Sequence, residues 1–334
     1  MSTRSWLPLA SMSTLIVALG AYAAIRQDAF LTTYNIGNLL LATMPLALVA
    51  MGQTVALLVR GFDVSVAALM TMCVVAASFT LQPGASTLSL VAGAFAIVGI
   101  GVATGVFNAT LIRFFRLPSI IATLGTLSIL EGASLWLRSA PAGSINGDVV
   151  DTLNSSVSFL PLAFAGVAVL AVLGDLWLYR TRPGLALRAV GLDETSSRRL
   201  GMRTGLVILL AFAGCSVLAS FAGFYLAAEV QIGSPIIGNQ ALESIAAAVL
   251  GGAALSGGRG SFVGSLLAAL FLTEIDNVLP LFQQPTEYAE MTIGGLILLA
   301  LVLYQAPELL GRLRASRRKV EPVPARTEKG AAPA

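Results

Sequence analysis

Residues 182–202 read Arg182-Pro183-Gly184-Leu185-Ala186-Leu187-Arg188-Ala189-Val190-Gly191-Leu192-Asp193-Glu194-Thr195-Ser196-Ser197-Arg198-Arg199-Leu200-Gly201-Met202. This basic, polar island stands between two apolar runs near 159–179 and 205–228. Each run reaches the roughly 20 residues that a helix needs to cross about 30 Å of hydrocarbon. The island is therefore a loop between two membrane helices. The rest of the chain follows the same alternation, with further apolar spans near 6–25, 38–59, 63–81, 87–112, 118–137, 241–256, 260–279 and 289–306. The sequence predicts an all-α integral membrane protein of about ten transmembrane helices. The eighth span, 241–256, is short and rich in Gly and Ala, so it reads as a half-span or a broken helix.

Composition agrees. Hydrophobic residues make up 56% of the chain and charged residues 11%, against roughly 25% charged in an ordinary soluble domain. Too little polar surface is present to coat a water-soluble globule. A net charge of +3 does not point to nucleic acid, because the Arg residues lie in short blocks between apolar runs. With ten spans and a cytoplasmic N-terminus, 18 of the 20 basic residues fall on the inner side, and only Arg26 and Arg138 fall outside. A wrong span count would scramble that bias, so it predicts cytoplasmic N- and C-termini. Residues 1–311 read as the transmembrane domain and 312–334 as a basic, disordered cytoplasmic tail drawn to anionic membrane lipid. Arg4, the first apolar stretch and Ala21-Tyr22-Ala23 also resemble a secretory signal, though the stretch is long for one. Histidine is absent, and no metal-ligand cluster or activated nucleophile is visible, so no catalytic or metal site is expected. Cys73 and Cys215 lie inside apolar runs and read as small buried thiols.

Local chemistry adds detail. In the 180–204 loop, Gly191 is expected to end one short helix and Asp193 to cap the next. Two surface helices would make a docking platform; an ordinary positive-inside loop is the alternative. Asp63 follows Gly61-Phe62 and starts a helix, where a carboxylate is favoured; it serves as a cap or a substrate contact, and it has Arg60 close by to pair with. The run from Gly251 to Gly264 lets helix backbones approach, and Gly260-x-x-x-Gly264 fits small-residue packing. Polar residues inside spans, Gln53, Asn108, Thr123, Thr126, Glu131, Asp276 and Asn277, face either neighbouring helices or a wet path. An ion-coupled carrier would need a carboxylate relay, for which Glu131, Asp175 and Glu243 are the candidates. No Gly-x-x-x-x-Gly-Lys-Ser/Thr loop occurs, so ATP and its magnesium are not expected on this chain.

Several motifs together resemble one family. Gly61-Phe62-Asp63-Val64-Ser65-Val66 resembles Gly-Ile-Asp-Leu-Ser-Val-Gly, with Ala67 in place of the last Gly. Leu117-Pro118-Ser119-Ile120-Ile121-Ala122-Thr123-Leu124-Gly125-Thr126 is similar to Val-Pro-Phe-Ile-Ala-Thr-Leu-Gly-Thr. Gly191-Leu192-Asp193-Glu194-Thr195-Ser196 before Gly201-Met202 resembles Gly-Gly-Asn-Glu-Ala-Ala before Gly-Ile, with Asp for Asn. Ala247-Ala248-Val249-Leu250-Gly251-Gly252 and Gly257-Gly258-Arg259-Gly260 resemble a Gly-rich segment. Glu274 and Asp276 depart from the pattern. The family is that of ABC-importer permeases of the ribose/xylose/autoinducer type, within the branched-chain amino acid/ribose superfamily. The resemblance implies the ABC importer permease fold in the bacterial inner membrane and import of a ribose-like monosaccharide, with a nucleoside or another solute as alternatives. It implies three partners: an ATPase subunit, a periplasmic sugar-binding protein meeting 138–158 and 229–240, and a second permease subunit, either another copy of this chain or a paralogue. It assigns ATPase coupling to Arg188, Gly191, Asp193, Glu194, Arg198, Arg199 and Gly201. Pathway candidates are Gln53, Asp63, Ser65, Asn108, Thr123, Thr126 and Asn277, and packing glycines are Gly251, Gly252, Gly257, Gly260 and Gly264.

Overall fold

The computed structural model describes residues 7–298 apart from 237, 239, 286, 289, 290 and 297. Its helices are α1 (Leu7–Arg26), α2 (Thr33–Leu58), α3 (Val66–Thr80), α4 (Thr87–Arg113), α5 (Ser119–Leu137), α6 (Gly147–Leu153), α7 (Leu162–Arg180), α8 (Arg182–Leu192), α9 (Glu194–Arg199), α10 (Thr204–Val230), α11 (Gln240–Leu250) and α12 (Phe262–Leu281). A two-residue hairpin, β1 (Ser156–Val157) with β2 (Leu160–Pro161), precedes α7. Among the described residues, seven helices are long and apolar enough to cross a membrane: α1, α2, α4, α5, α7, α10 and α12. These are the first, second, fourth, fifth, sixth, seventh and ninth spans of the sequence.

The third and eighth spans are shorter helices. At 1.5 Å per residue, α3 and α11 run about 22 Å and 16 Å, short of a full crossing. Irregular chain at 59–65 extends α3, and a Gly-rich turn follows α11. The span at 289–306 falls mostly outside the described residues, of which 287, 288, 291–296 and 298 are helical. Arg4 and the tail 312–334 also lie outside them.

The core forms around α2. Of its apolar window 83% is buried, against α7, α8, α10, α11 and α12. By contrast α1, α4, α5 and α7 have windows only 11–28% buried and present Val17, Phe95, Ile121, Trp136 and Leu173 outward. Lipid tails are as apolar as Leu, so burial of such side chains does not hold membrane helices together; close contact does. Small residues provide it here. A Cβ at Gly52 of α2 would meet the Cys215 backbone of α10, and one at Gly105 of α4 would meet the backbone of Phe212 and Ala213. Gly223 packs on Met70 and Cys73 of α3 in the same way. Both cysteines are free and buried.

The turn between α11 and α12 draws on glycine twice over. Gly252, Gly257 and Gly258 hold φ of 99°, 82° and 75°, a left-handed conformation that disfavours any side chain. Gly251 and Gly264 lie back to back, so that a Cβ on either would overlap the other's backbone, and Gly260 sits against Thr54 of α2. Gly264→Val is therefore expected to destabilise the protein by about 1–3 kcal/mol through overpacking. Gly99→Val, where a Cβ meets nothing within 4 Å, serves as the control. Thermal unfolding in detergent, followed by size-exclusion chromatography, measures both; equal melting points would refute the close approach.

Candidate functional site

The chain leaves α2 at Leu58 and does not enter α3 until Val66. Non-helical chain that enters the interior of a membrane protein carries backbone polar groups that hydrocarbon cannot satisfy. Side chains of α2 and α5 satisfy them here. The Gln53 side-chain amide donates to the Asp63 carbonyl at 3.0 Å and accepts from the Asp63 N–H at 3.4 Å. Ser119 accepts from the Phe62 N–H at 3.2 Å. Thr123 accepts from the Val64 N–H at 3.2 Å and lies 3.3 Å from the Phe62 carbonyl.

The Asp63 carboxylate sits at the centre. One oxygen accepts from the Ser65 N–H at 3.0 Å and the Ser65 hydroxyl at 2.5 Å, an Asx turn leading into α3. Asn108 of α4 donates to both oxygens at 3.4 Å and to the Ser65 hydroxyl at 2.9 Å. Ser216 of α10 donates at 3.4 Å. The Thr126 hydroxyl of α5 then donates to the Asn108 carbonyl oxygen at 2.6 Å. Gln53, Asp63, Ser65, Asn108, Thr123 and Thr126 are each 3% exposed or less. Six of the seven pathway candidates thus meet in one buried network. The seventh, Asn277, lies elsewhere and exchanges amide hydrogen bonds of 3.1 and 3.0 Å with Asn35.

Arg60 does not pair with Asp63. At φ 61° it turns to the protein surface, where its guanidinium donates to the carbonyls of Ser256 at 2.8 Å and Leu192 at 2.5 Å. Those contacts open the second region, the platform. The Thr181 hydroxyl caps α8 at Gly184 N–H, and Asp193 caps α9 through Ser196 N–H at 3.1 Å and the Ser196 hydroxyl at 2.6 Å. Gly191 does not end a helix, because α8 continues to Leu192. Its role is contact: a Cβ there would overlap the Leu58 carbonyl oxygen, which itself accepts from Gly258 N–H at 2.9 Å. A glycine stop does occur at the end of α9, where Gly201 (φ 83°) and Met202 N–H bond back to Arg198 and Ser197 carbonyls in a Schellman turn.

Glu194 fastens this platform to the body. It pairs with Arg113 at the end of α4 at 2.7 Å and with Arg198 at 2.6 Å, and it accepts from Thr204 at 3.3 Å. Arg188 stacks over the Tyr179 ring at 4.6 Å, whose hydroxyl donates to the Gly260 carbonyl. Arg199 and Leu200 are exposed. On the opposite face Arg138 donates to Ser78 at 2.6 Å, and a bridge joins Ala142 to Gly233. There the segments 138–158 and 229–240 touch.

Sequence reasoning missed Ser119, Arg113 and Ser216, which nothing in their local patterns distinguishes. It also missed the role of Asp175, which it named as a candidate for a carboxylate relay. Asp175 instead reaches from α7 to cap α12, accepting from the Ser261 hydroxyl and Phe262 N–H, each at 2.7 Å. Its signal was an acidic residue in an apolar span beside a Ser-initiated helix elsewhere.

A lipid-faced helical body with a broken helix pinned by polar side chains, and a two-helix platform on one face, defines a membrane transport permease. The chain belongs to the family described as branched-chain amino acid transport system / permease component, whose model matches residues 35–301. It is the permease of an ABC importer, a multi-pass inner-membrane transport subunit rather than an enzyme. Similar proteins include the autoinducer 2 import system permease protein LsrC of Enterobacter sp. (strain 638), 34% identical over 312 residues, covering 90% of this chain and 85% of that protein. LsrC of Salmonella typhimurium is 33% identical, covering 91% and 86%. LsrC of Yersinia pseudotuberculosis (strain IP32953) is 33% identical, covering 81% and 75%. No solved structure matches the chain.

Two expectations follow. Asn108→Ala leaves Thr126 and the Asp63 carboxylate short of partners and costs about 1–3 kcal/mol; Val106→Ala on the outward face of α4 is the control in thermal unfolding. Partial burial opposes ionisation of Glu194, but hydrogen bonds from Arg113 and Arg198 and the Arg113 charge outweigh it and hold the carboxyl below its ordinary value. A depressed folded-state value means stability that is present above the unfolded pKa and lost as pH falls through the folded one. The advantage of wild type over Glu194→Gln is therefore flat from neutral pH down to about pH 4.3 and vanishes below it. It stays under about 1 kcal/mol because the pair is partly exposed. Melting curves across pH check it, and an advantage that grew in acid would refute it.

Proposed function

We propose that this permease faces the cytoplasm with its α8–α9 platform, receives an ATPase subunit there, and passes a small polar solute inward. One observation carries the reading. The segments at 60–62, 113–117, 180–204 and 257–259, which the charge bias assigns to the inner side, meet on one face through Arg60, Glu194 and Gly191. Exposed Leu192 and Leu200, with Phe114 and Phe115 on the adjoining turn, give that face the apolar anchors and charged rim of a docking surface. Both termini lie on the same side in this reading. The ATPase supplies ATP and magnesium, and this chain binds neither.

A push on α8–α9 has a direct route inward. Leu192 is bonded to Arg60, and Gly191 rests on Leu58, so the platform is coupled to the chain that enters the Asp63 network. Arg113 carries a second route into α4, which holds Asn108. The network then acts as the rigid joint between the platform and α3, and passage takes place along surfaces formed with a second permease copy. On the outer face, segments 138–158 and 229–240 meet a periplasmic binding protein, which selects the solute.

The solute is of the monosaccharide class. The relatives named above belong to autoinducer 2 import systems, which makes autoinducer 2 the first solute to test and a ribose-like sugar the second. An ion-coupled carrier finds less support, because Asp175 is engaged as a helix cap and Glu131 lies on the exposed face of α5.

The test uses cells lacking the gene, complemented with wild type, Leu200→Asp, or Glu194→Arg with Arg198→Glu. Leu200 is 81% exposed, so its substitution leaves the fold intact. Wild type is expected to restore solute uptake that survives a protonophore. Both variants are expected to reach the membrane yet lose at least about tenfold in uptake and in stimulated ATP hydrolysis, the loss of one anchor residue. Full uptake by Leu200→Asp would place the ATPase elsewhere, and protonophore-sensitive uptake would overturn ATP coupling.

A further inference from the structure

A cavity among the described residues lies away from the Asp63 network. It occupies about 490 Å³ between α7 and α10, floored by Met51 and Val55 of α2 and Phe262 of α12, with Trp177, Leu187 and Leu218 among its walls. Its lining residues recur with helical spacing: 170, 174 and 177 on α7; 183, 186 and 187 on α8; 207, 210, 214 and 218 on α10. Along α10 this spans about 16 Å parallel to the helix axis. Leu170, Trp177 and Leu210 are partly exposed at the rim, so the groove opens sideways to the membrane. Its lining is apolar throughout, which disfavours a polar solute.

One end differs from the other. The groove is closed there by α8, whose Pro183, Ala186 and Leu187 face into it. Arg180 ends α7, Arg182 begins α8, and Arg203 stands one turn before the lining residue Val207. All three are exposed, and none makes an ion pair among the described residues. Trp177 lies at the same level, the position that indole favours at a membrane interface. An elongated apolar slot ending in unpaired guanidinium groups matches one membrane component in both parts.

We propose that this groove binds an acyl chain of an anionic phospholipid, whose phosphate is held by Arg180, Arg182 and Arg203. Basic pockets between membrane helices are suited to such headgroups, and guanidinium groups suit phosphate oxygens. Because α8 forms the roof, the bound lipid supports the underside of the platform. Lipid charge thereby stabilises the seat of the α8–α9 pair, and the site stands whether or not the platform receives an ATPase.

Trp177 itself reports occupancy. The full-length chain with Trp6→Phe and Trp136→Phe keeps Trp177 as its one tryptophan. It is reconstituted in phosphatidylcholine vesicles containing chain-brominated phosphatidylglycerol or, at equal mole fraction, chain-brominated phosphatidylcholine. Brominated phosphatidylglycerol is expected to quench Trp177 with an apparent affinity about three- to tenfold higher. Arg180→Gln with Arg182→Gln and Arg203→Gln is expected to abolish that preference while quenching by both lipids persists. Gly214→Phe fills the groove, because a Cβ at Gly214 has its nearest neighbour, Val55, 4.0 Å away; it is expected to reduce quenching by both lipids. Equal quenching in the parent protein, a preference that survives the three Arg substitutions, or undiminished quenching after Gly214→Phe would each overturn the proposal. So would protection of Trp177 from both lipids, which would mean that a second copy covers the groove.

Discussion

A chain that enters the protein interior without helical hydrogen bonds leaves backbone N–H and C=O groups away from water, and everything around residues 59–65 answers that constraint. Gln53, Ser119 and Thr123 pair the freed backbone groups, while Asp63 gathers donors from Ser65, Asn108 and Ser216. Buried polar networks of this kind are costly when incomplete and specifying when satisfied. This one fixes where α3 begins and how α2, α4, α5 and α10 are rotated about their axes, since each must aim a chosen side chain inward. The close approaches at Gly52, Gly105 and Gly223 follow from the same rotations.

The platform is held by geometry more than by charge. Gly191 and Gly258 bring α8 and the α11–α12 turn onto the carbonyl of Leu58, so three separate loops share one backbone junction. Arg60, Glu194 and Arg188 surround that junction with donors, but exposed ion pairs are individually weak. What makes the assembly stiff is that no side chain intervenes between the backbones. A stiff junction transmits displacement, and this one lies five residues from Asp63. The platform and the buried network are thus two ends of one short connection.

Much of this was legible before any coordinates. Apolar run length and the positions of Arg residues give about ten spans, of which seven are long helices and the third, read as a full crossing, is a shorter one; they also flag the short Gly- and Ala-rich eighth span and offer paired short helices as one reading of the loop 180–204. These are one-dimensional properties, because bilayer thickness fixes helix length and orientation signals lie beside the spans. Gln53, Asn108, Thr123 and Thr126 stood among the polar residues inside spans that are costly to embed, and in the fold each is buried with hydrogen-bond partners.

What those residues do to each other was not legible. Nothing local says that Arg60 turns toward Ser256 and Leu192 instead of toward Asp63, that Gly191 is a contact point and not a helix stop, or that Asp175 caps a helix 86 residues onward. Asn277 looks in sequence like the other polar residues yet belongs with Asn35 at a separate site. The sequence by itself determined which segments lie in the membrane and which polar groups require partners. Only the tertiary structure decided who the partners are, because hydrogen bonds and backbone contacts between helices depend on relative rotation and depth, which no single span encodes.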